Sequence, residues 1–239
     1  MINSGPVLSA EQFQQLQILD TCTVSNAIET FGVRLRNEGF AHGSIRCQFP
    51  RLSPMLGYAV TGTIRASSAP MSGRCYYDRI DFWRHVLSVP PPRVIVLQDT
   101  DPMPGFGAIF GEIHTRICMA LNGVGYVTNG SVRDLGAVEK TGFHLFSASV
   151  AVSHAYAHIV EFGEPVELGG LKVRPGDLVH GDRHGIHIIP PSIAGEVPRA
   201  AAELVRREKE LIELCASPDF TLDALEKSFD AMKQERLCD

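Results

Sequence analysis

The sequence contains no apolar run approaching eighteen residues and no charged-then-apolar leader at its start. A membrane-spanning helix needs about 20 apolar residues, and a secretory signal places an apolar stretch of about 7 to 15 residues behind a basic start. We therefore expect a cytoplasmic protein that has no membrane among its partners.

Clustered positive charge is also missing. Lysine and arginine number 22 against 27 aspartates and glutamates, which gives a net charge of -5, and no basic run is present. Nucleic-acid-binding domains usually cluster cations that neutralise phosphates, so we do not expect nucleic acid as a partner. The six cysteines form no CxxC pair and show no regular spacing, which argues against a zinc ribbon or a dithiol redox motif.

Apolar content, by contrast, is ample. With 239 residues, of which 44% are hydrophobic, the chain can bury a full core as one α/β domain over residues 1–239. We expect the core at about residues 10–190 and a charged helical tail at about 193–236. The tail places Leu204, Leu211, Ile212 and Leu214 on one side, a pattern that suits packing against a neighbouring subunit.

The segment FGEIHTRICMALNGVGYVTNGSVRD, at residues 110–134, predicts a helix at about Glu112–Asn122 followed by a buried strand at Val124–Thr128. Each element is roughly 17 Å long at about 1.5 Å per helical and 3.3 Å per strand residue, so the chain goes out and returns. If the two pack antiparallel, Glu112 and the pair Arg133-Asp134 meet at one sheet edge. Open α/β sheets usually bind ligands at such an edge.

The predicted edge combines the carboxylates of Glu112 and Asp134, the guanidinium of Arg133 and the first-turn N–H groups of Ile113 and His114. Carboxylates bind hard divalent cations, whereas arginine and helix-terminal amides bind anions. Together they indicate a small anionic ligand that also chelates a metal ion.

Each residue also has an ordinary structural interpretation. Asp134 precedes Leu-Gly-Ala-Val-Glu and can be the N-cap of a following short helix. Arg133 can be a solvated turn residue, and Glu112 in a first helical turn favours the helix dipole without any function. Only the combination at this spacing supports a functional site.

The motif NGSVRD at 129–134, with an acidic residue and twenty intervening positions before Arg-Asp, resembles the family named for the regulator of ribonuclease activity A. That RraA-like family includes the class II, metal-dependent 4-hydroxy-4-methyl-2-oxoglutarate/4-carboxy-4-hydroxy-2-oxoadipate aldolases. Two further segments are similar to it: DTCTVSNAI at 20–28 and RPGDLVHGDRHGIHIIP at 174–190. The resemblance covers most of residues 10–190 and implies a β/β/α swivelling domain of the phosphohistidine-domain-like type.

The resemblance also implies an activity, namely a divalent-metal-dependent lyase that releases pyruvate from a 2-oxo acid by aldol cleavage, oxaloacetate decarboxylation or both. Asp134 would bind Mg²⁺ or Mn²⁺, and Arg133 would stabilise the developing enolate charge. Gly111, with the N–H groups of Ile113 and His114, would bind the substrate carboxylate. Glu112 would be the base for aldol cleavage.

Family members are typically homotrimers or homohexamers, in which a glutamate near the tail can complete a neighbour's metal site; Glu208 is the candidate here. A second class of function stays open, because some members are non-catalytic regulators that bind a ribonuclease. The aspartate after the arginine, which a pure regulator does not need, favours an enzyme.

Other segments give secondary expectations. Met55–Ser67, Arg93–Gln98 and Phe143–Val150 predict strands, and 75–87 predicts a helix. On that helix Tyr76, Tyr77, Arg79, Trp83 and Arg84 line a substrate pocket, or else Trp83 and Ile80 are core residues beside solvated arginines. Five histidines at 154, 158, 180, 184 and 187 raise the question of a transition-metal site, but 180–187 is strand and turn, so scattered surface histidines are the favoured interpretation.

Overall fold

A computed structural model describes residues 8–70 and 79–236 of the chain, with the side chains of 231–236 excluded. Its helices are α1 (Ala10–Gln17), α2 (Thr21–Thr30), α3 (Ile80–Val86), α4 (Glu112–Ala120), α5 (Leu135–Glu139), α6 (Val197–Ala216) and α7 (Leu222–Arg236). Its strands are β1 (Arg46–Cys47), β2 (Met55–Arg65), β3 (Arg93–Asp99), β4 (Ala108–Phe110), β5 (Gly123–Thr128), β6 (Ser131–Val132), β7 (His144–Ser147), β8 (Ser149–Val150), β9 (His158–Phe162), β10 (Val166–Leu168), β11 (Leu171–Val173), β12 (Leu178–Asp182) and β13 (Gly185–Ile189).

The main sheet has the strand order β1-β7-β5-β3-β2-β12-β13, with β9 also paired to β2. Strands β2, β3, β5 and β7 are mutually parallel, and the remaining strands pair antiparallel. Because both faces of parallel strands are usually covered, such strands are apolar almost throughout, as β2 and β3 are here. The predicted mixed α/β class is confirmed, whereas the finer swivelling-domain assignment stays a prediction.

Alternate residues of each central strand face two different apolar layers. Ile95 and Leu97 of β3 face the layer formed with the helices, and Val94 and Val96 face the layer closed by the β10–β11 hairpin. This alternation follows from the two-residue period of a strand.

A second, three-stranded parallel sheet, β4-β6-β8, lies where the chain leaves the main sheet. The prediction of one strand over Phe143–Val150 is therefore wrong in part, because the chain changes sheets after Ser147. Ser149 pairs with Ser131 in the small sheet, and the Ser131 and Ser149 hydroxyls lie 2.6 Å apart. The small sheet carries the segments on either side of the predicted site.

Helices α1 and α2 each begin with a side-chain cap. Ser9 forms a capping box with Gln12, and Asp20 caps α2 by accepting from the Thr23 N–H. The carboxy-terminal tail is helical as predicted, and Ala201 and Leu204 of α6 join the helix-side core. The subunit-packing role of the tail stays a prediction.

The expectation of surface histidines is wrong for one pair. His180 and His187 face each other across the β12–β13 hairpin, with Nδ1 and Nε2 3.1 Å apart, and both side chains are buried. Their i, i+7 spacing across a hairpin is invisible to a search for helical i, i+4 pairs.

The structure of α3 decides in part whether its residues line a pocket or belong to the core. Trp83 is a core residue, as the structural interpretation predicts, but Ile80 is 57% exposed. Tyr76 and Tyr77 lie outside the described residues. Within the described ranges no helix is both long and apolar enough to cross a membrane.

Candidate functional site

The predicted return of the chain to one edge is present. The Glu112 N–H at the start of α4 donates to Asp134 Oδ2 at 3.1 Å, and the Arg133 N–H donates to the Phe110 carbonyl at 3.0 Å. Residues Gly111, Glu112, Arg133, Asp134 and His154 form what we call the edge site. Its first four members were predicted from sequence, and their roles stay predictions.

Asp134 occupies the N-cap position of α5, as the structural interpretation expected, but its side chain does not cap that helix. It reaches instead to the first turn of α4. Its backbone has φ of 54°, in the left-handed region that aspartate tolerates better than most residues. A non-glycine residue in this conformation often marks a functional position, and here it aims the carboxylate at the neighbouring helix.

Gly111 makes the close approach possible. A Cβ atom added there would lie 2.3 Å from Asp134 Oδ2 and 2.9 Å from Arg133 Cγ. Any larger residue would therefore displace both groups. Gly136, the second residue of α5, differs, because no atom lies within 4 Å of a Cβ added there.

Arg133 connects Asp134 to His154, which the sequence analysis assigned to the scattered surface histidines and not to this site. Its Nε lies 3.1 Å from Asp134 Oδ1, and its Nη1 lies 2.9 Å from Nδ1 and 3.2 Å from Nε2 of His154. His154 follows β8, twenty-one positions after the arginine. Its proximity to Arg133 depends on the pairing of β8 with β6 in the small sheet, which no residue pattern predicts.

Burial and neighbouring groups shift the pKa values of Asp134 and His154 in the edge site. Burial alone would raise the pKa of Asp134, but the Glu112 N–H and the Arg133 guanidinium outweigh it and keep the pKa below its usual value. Burial and the nearby Arg133 lower the pKa of His154, which Asp134 only partly opposes. At neutral pH the site therefore presents a carboxylate, a guanidinium and a neutral imidazole.

The other predicted residues lie at the start of α4. The Glu112 carboxylate lies 3.4 Å from Arg116 along the helix surface, so only its backbone N–H contacts Asp134. Ile113 is exposed, whereas the His114 ring is buried, with centroids 5.8 Å from Trp83 and 5.4 Å from Phe110. Trp83 thus packs against His114 on the buried side of α4.

The first half of the NGSVRD motif fixes the loop. Asn129 accepts from the Asp99 N–H at 2.7 Å and donates to the Asp99 carbonyl at 2.9 Å. The Asp99 carboxylate in turn accepts from the N–H groups of Gly105 and Asp101. Burial raises the pKa of Asp99. The motif therefore divides into a structural half and the half that carries Arg133 and Asp134.

Within the described part of the chain, no group of three or more His, Cys, Asp or Glu side chains is arranged to bind a metal ion. Asp134 is nevertheless compatible with Mg²⁺ or Mn²⁺. Its side chain is 37% exposed and ionised, and Mg²⁺ is usually bound through one or two carboxylates with water or substrate supplying the other ligands. Glu208 lies exposed on α6, and its predicted role for a neighbour stays a prediction.

Two curated relatives match the chain. Protein DlpA of Legionella pneumophila is 21% identical over 218 residues, which cover 90% of this chain and 33% of DlpA. A putative 4-hydroxy-4-methyl-2-oxoglutarate aldolase of Halalkalibacterium halodurans is 31% identical over 84 residues, which cover 35% of this chain and 40% of that protein. The alignments thus span between a third and two fifths of these relatives.

The fold is similar to that of Streptomyces coelicolor RraAS2, described as an unusual member of the RNase ES inhibitor RraA protein family. The TM-score is 0.65 at 21% identity, and the match covers 84% of this chain and 95% of RraAS2. The family model for RraA-like proteins, described as Aldolase/RraA, matches residues 21–188. This range includes α2, the whole edge site and nearly all of the β12–β13 hairpin, and the chain therefore belongs to the RraA-like family.

Proposed function

We propose that the protein is a divalent-metal-dependent carbon-carbon lyase that acts on a 2-oxo acid and releases pyruvate. The reaction is 4-hydroxy-4-methyl-2-oxoglutarate-type aldol cleavage, oxaloacetate decarboxylation or both. The observation that carries the proposal is the ionised, partly exposed Asp134 carboxylate beside Arg133 at the start of α4. The family's description and the name of the Halalkalibacterium relative support it.

Asp134 would hold Mg²⁺ or Mn²⁺, because hard cations prefer carboxylate oxygens and this carboxylate is partly open to solvent. When bound, the cation would act as a Lewis acid on the oxygens of the 2-oxo acid. The Glu112 N–H donates a hydrogen bond to Asp134, and this bond would hold the carboxylate in a fixed orientation for the cation.

Arg133 and the start of α4 would bind the substrate. Breaking the bond beyond the keto carbon leaves negative charge on the keto oxygen, and a fixed guanidinium beside that oxygen lowers the barrier. Gly111 and the first-turn N–H groups of Ile113 and His114 would face the substrate carboxylate, since helix N-termini favour anions. The close approach of Gly111 to Arg133 supports a shared role of these two sets of donors.

Aldol cleavage also requires a base for the distal hydroxyl, whereas decarboxylation does not. Glu112 is our candidate base, although its carboxylate lies beside Arg116 and would have to turn toward the ligand. Glu112→Gln should then impair aldol cleavage and leave decarboxylation. Equal retention of both activities would remove Glu112 from this role.

The test is pyruvate release from oxaloacetate and from 4-hydroxy-4-methyl-2-oxoglutarate with Mg²⁺ or Mn²⁺. Controls are the metal alone, EDTA, and the Asp134→Ala variant. We expect metal-dependent turnover that the variant loses. Release no faster than with metal alone, across a panel of 2-oxo acids, would reject the lyase proposal.

The second candidate is a non-catalytic regulator that binds a ribonuclease, supported by the likeness of the fold to RraAS2. Asp134 separates the two, because a protein-protein contact does not require an ionised, metal-compatible carboxylate behind the arginine. As with the enzyme, we propose a cytoplasmic homotrimer or homohexamer without nucleic acid or membrane partners. If pyruvate release fails, ribonuclease inhibition is the next assay.

A further inference from the structure

The Arg133 guanidinium is held on two sides. Nε bonds to Asp134 Oδ1, and Nη1 lies against the nitrogen edge of the His154 ring. Nη2 takes part in neither contact. An arginine side chain has about 2 kcal/mol of rotamer entropy to lose, so two fixed partners greatly restrict its orientation.

His154 is itself placed by the backbone around it. The Ala108 N–H donates to the Ser153 carbonyl at 3.0 Å, and the Ala155 N–H donates to the Ser153 hydroxyl at 2.9 Å. A Cβ atom at Gly107 would lie 2.3 Å from the His154 carbonyl oxygen. The segment at 153–155 therefore packs closely against the residues that lead into β4, which fixes the backbone from which the His154 ring extends.

The contact requires a neutral imidazole. A guanidinium has five N–H donors and no acceptor, so its partner must offer a lone pair. Neutral histidine has one such nitrogen, whereas imidazolium would present only donors and a second positive charge. Burial and Arg133 lower the pKa of His154, in keeping with the neutral form.

We propose that His154 is a positioning residue for Arg133. It accepts from Nη1 while Asp134 accepts from Nε, and the two contacts orient the guanidinium so that Nη2 faces an anionic oxygen of the ligand. What Arg133 then does to that oxygen rests on the proposed function. The contact that fixes the arginine does not.

Kinetics test the proposal with two variants of His154. His154→Leu removes the acceptor at similar size, and we expect kcat/KM to fall about 10- to 100-fold for decarboxylation and aldol cleavage alike, because both need Arg133. His154→Gln keeps an uncharged acceptor and should recover most of that loss. Val152→Ala, in the same loop and 96% exposed, is the control and should match the wild type.

A spectroscopic readout separates positioning from catalysis. The ¹⁵Nε–¹Hε NMR signal of Arg133, assigned by comparison with Arg133→Lys, should be resolved in the wild type and His154→Gln. In His154→Leu it should broaden or exchange faster. This signal depends on the fixed guanidinium and is independent of turnover.

The outcomes are distinct. An unchanged Arg133 signal in His154→Leu overturns the positioning role, even if pyruvate release is confirmed. A changed signal in a protein that releases no pyruvate supports positioning and rejects the lyase instead. If His154→Leu abolished aldol cleavage alone and left the Arg133 signal intact, His154 would be a proton-transfer group and the proposal would be wrong.

Discussion

Two aspartates in this protein each accept a hydrogen bond from the first backbone N–H of a helix, but their surroundings differ. Asp182, at the end of β12, accepts from the Thr21 N–H at 2.9 Å, and Asp134 accepts from the Glu112 N–H at 3.1 Å. Each thereby caps a helix that is distant in sequence. Asp182 is 6% exposed and also accepts from the Thr21 hydroxyl and from His184. Asp134 is 37% exposed and bonds otherwise to Arg133.

The difference explains why only one of them indicates a functional site. The lone pairs of Asp182 are taken up by neighbours of the same chain, so its charge is used to attach α2 to the β12–β13 hairpin. Asp134 keeps part of its acceptor capacity open to solvent and stands beside a cation. An aspartate that caps a helix is thus structural when it is saturated, and available to a ligand when it is not.

The largest expected effect is on activity, in Asp134→Asn. Asparagine tolerates the left-handed backbone and can still accept from the Glu112 N–H, so unfolding in denaturant should change little. A neutral amide oxygen binds a divalent cation more weakly than a carboxylate does, so metal-dependent pyruvate release should fall about 100- to 1000-fold. A variant that remained active would place the metal elsewhere, and one that unfolded would make Asp134 structural like Asp182.

The reverse is expected for Asp182→Ala. It leaves the buried Thr21 N–H and hydroxyl without their acceptor, which should lower the free energy of unfolding by about 2 to 3 kcal/mol. Activity per folded molecule should stay near that of the wild type.

Asp20→Ala is the matched control for Asp182→Ala, because Asp20 caps the same helix from an exposed position and should cost about 1 kcal/mol. Urea unfolding of all three proteins measures the difference. Equal losses would show that burial of the Asp182 network adds nothing.

Sequence reasoning was able to predict that Glu112 and Asp134 meet, because their meeting depends on the lengths of the helix and strand between them. A helix and a strand of similar length must return the chain to its starting edge, and Glu112 and Asp134 do meet there. It was not able to predict that the Asp134 side chain would cap α4 and not α5. That choice follows from a positive φ and from the missing Cβ of Gly111, and neither is visible in a residue pattern.

The histidine contacts that sequence reasoning missed depend on how the strands pair. His154 reaches Arg133 because the chain leaves the main sheet after Ser147 and pairs β8 with β6. His180 and His187 became a buried pair through hairpin register. Periodicity reports which face of one element is apolar, but not which segments a change of sheet brings together.

Gly111→Ala tests the steric part of the comparison. The added methyl group would overlap Asp134 Oδ2 and Arg133 Cγ, so the edge site must shift and kcat/KM should fall about 10-fold or more. Gly136→Ala is the control, because its Cβ enters open space within α5 and should be neutral or stabilise by about 0.5 to 1 kcal/mol. Similar activities of the two variants would contradict the close approach at Gly111.

The last effect concerns the buried side of the comparison, where stability should depend on pH. Burial lowers the pKa of His180 to about 4 and that of His187 well below its usual value, so both are neutral in the folded protein. In the unfolded chain the two histidines take up protons near pH 6.5, so their contribution to stability is fully present above that pH. It decreases as the pH falls toward 4, by up to about 1.4 kcal/mol per pH unit for each histidine.

Carboxylates also titrate at low pH, so this contribution has to be read as a difference between proteins. The double variant His180→Leu/His187→Leu replaces the pair by apolar side chains and should show a shallower loss of stability between pH 6.5 and 5. Substitution of the exposed His42 by asparagine is the control for the loss of a histidine outside the buried pair. Parallel slopes for the double variant and the wild type would mean that the pair is protonated in the folded state, and that the layer beneath α1 and α2 is less closed to water than Asp182 indicates.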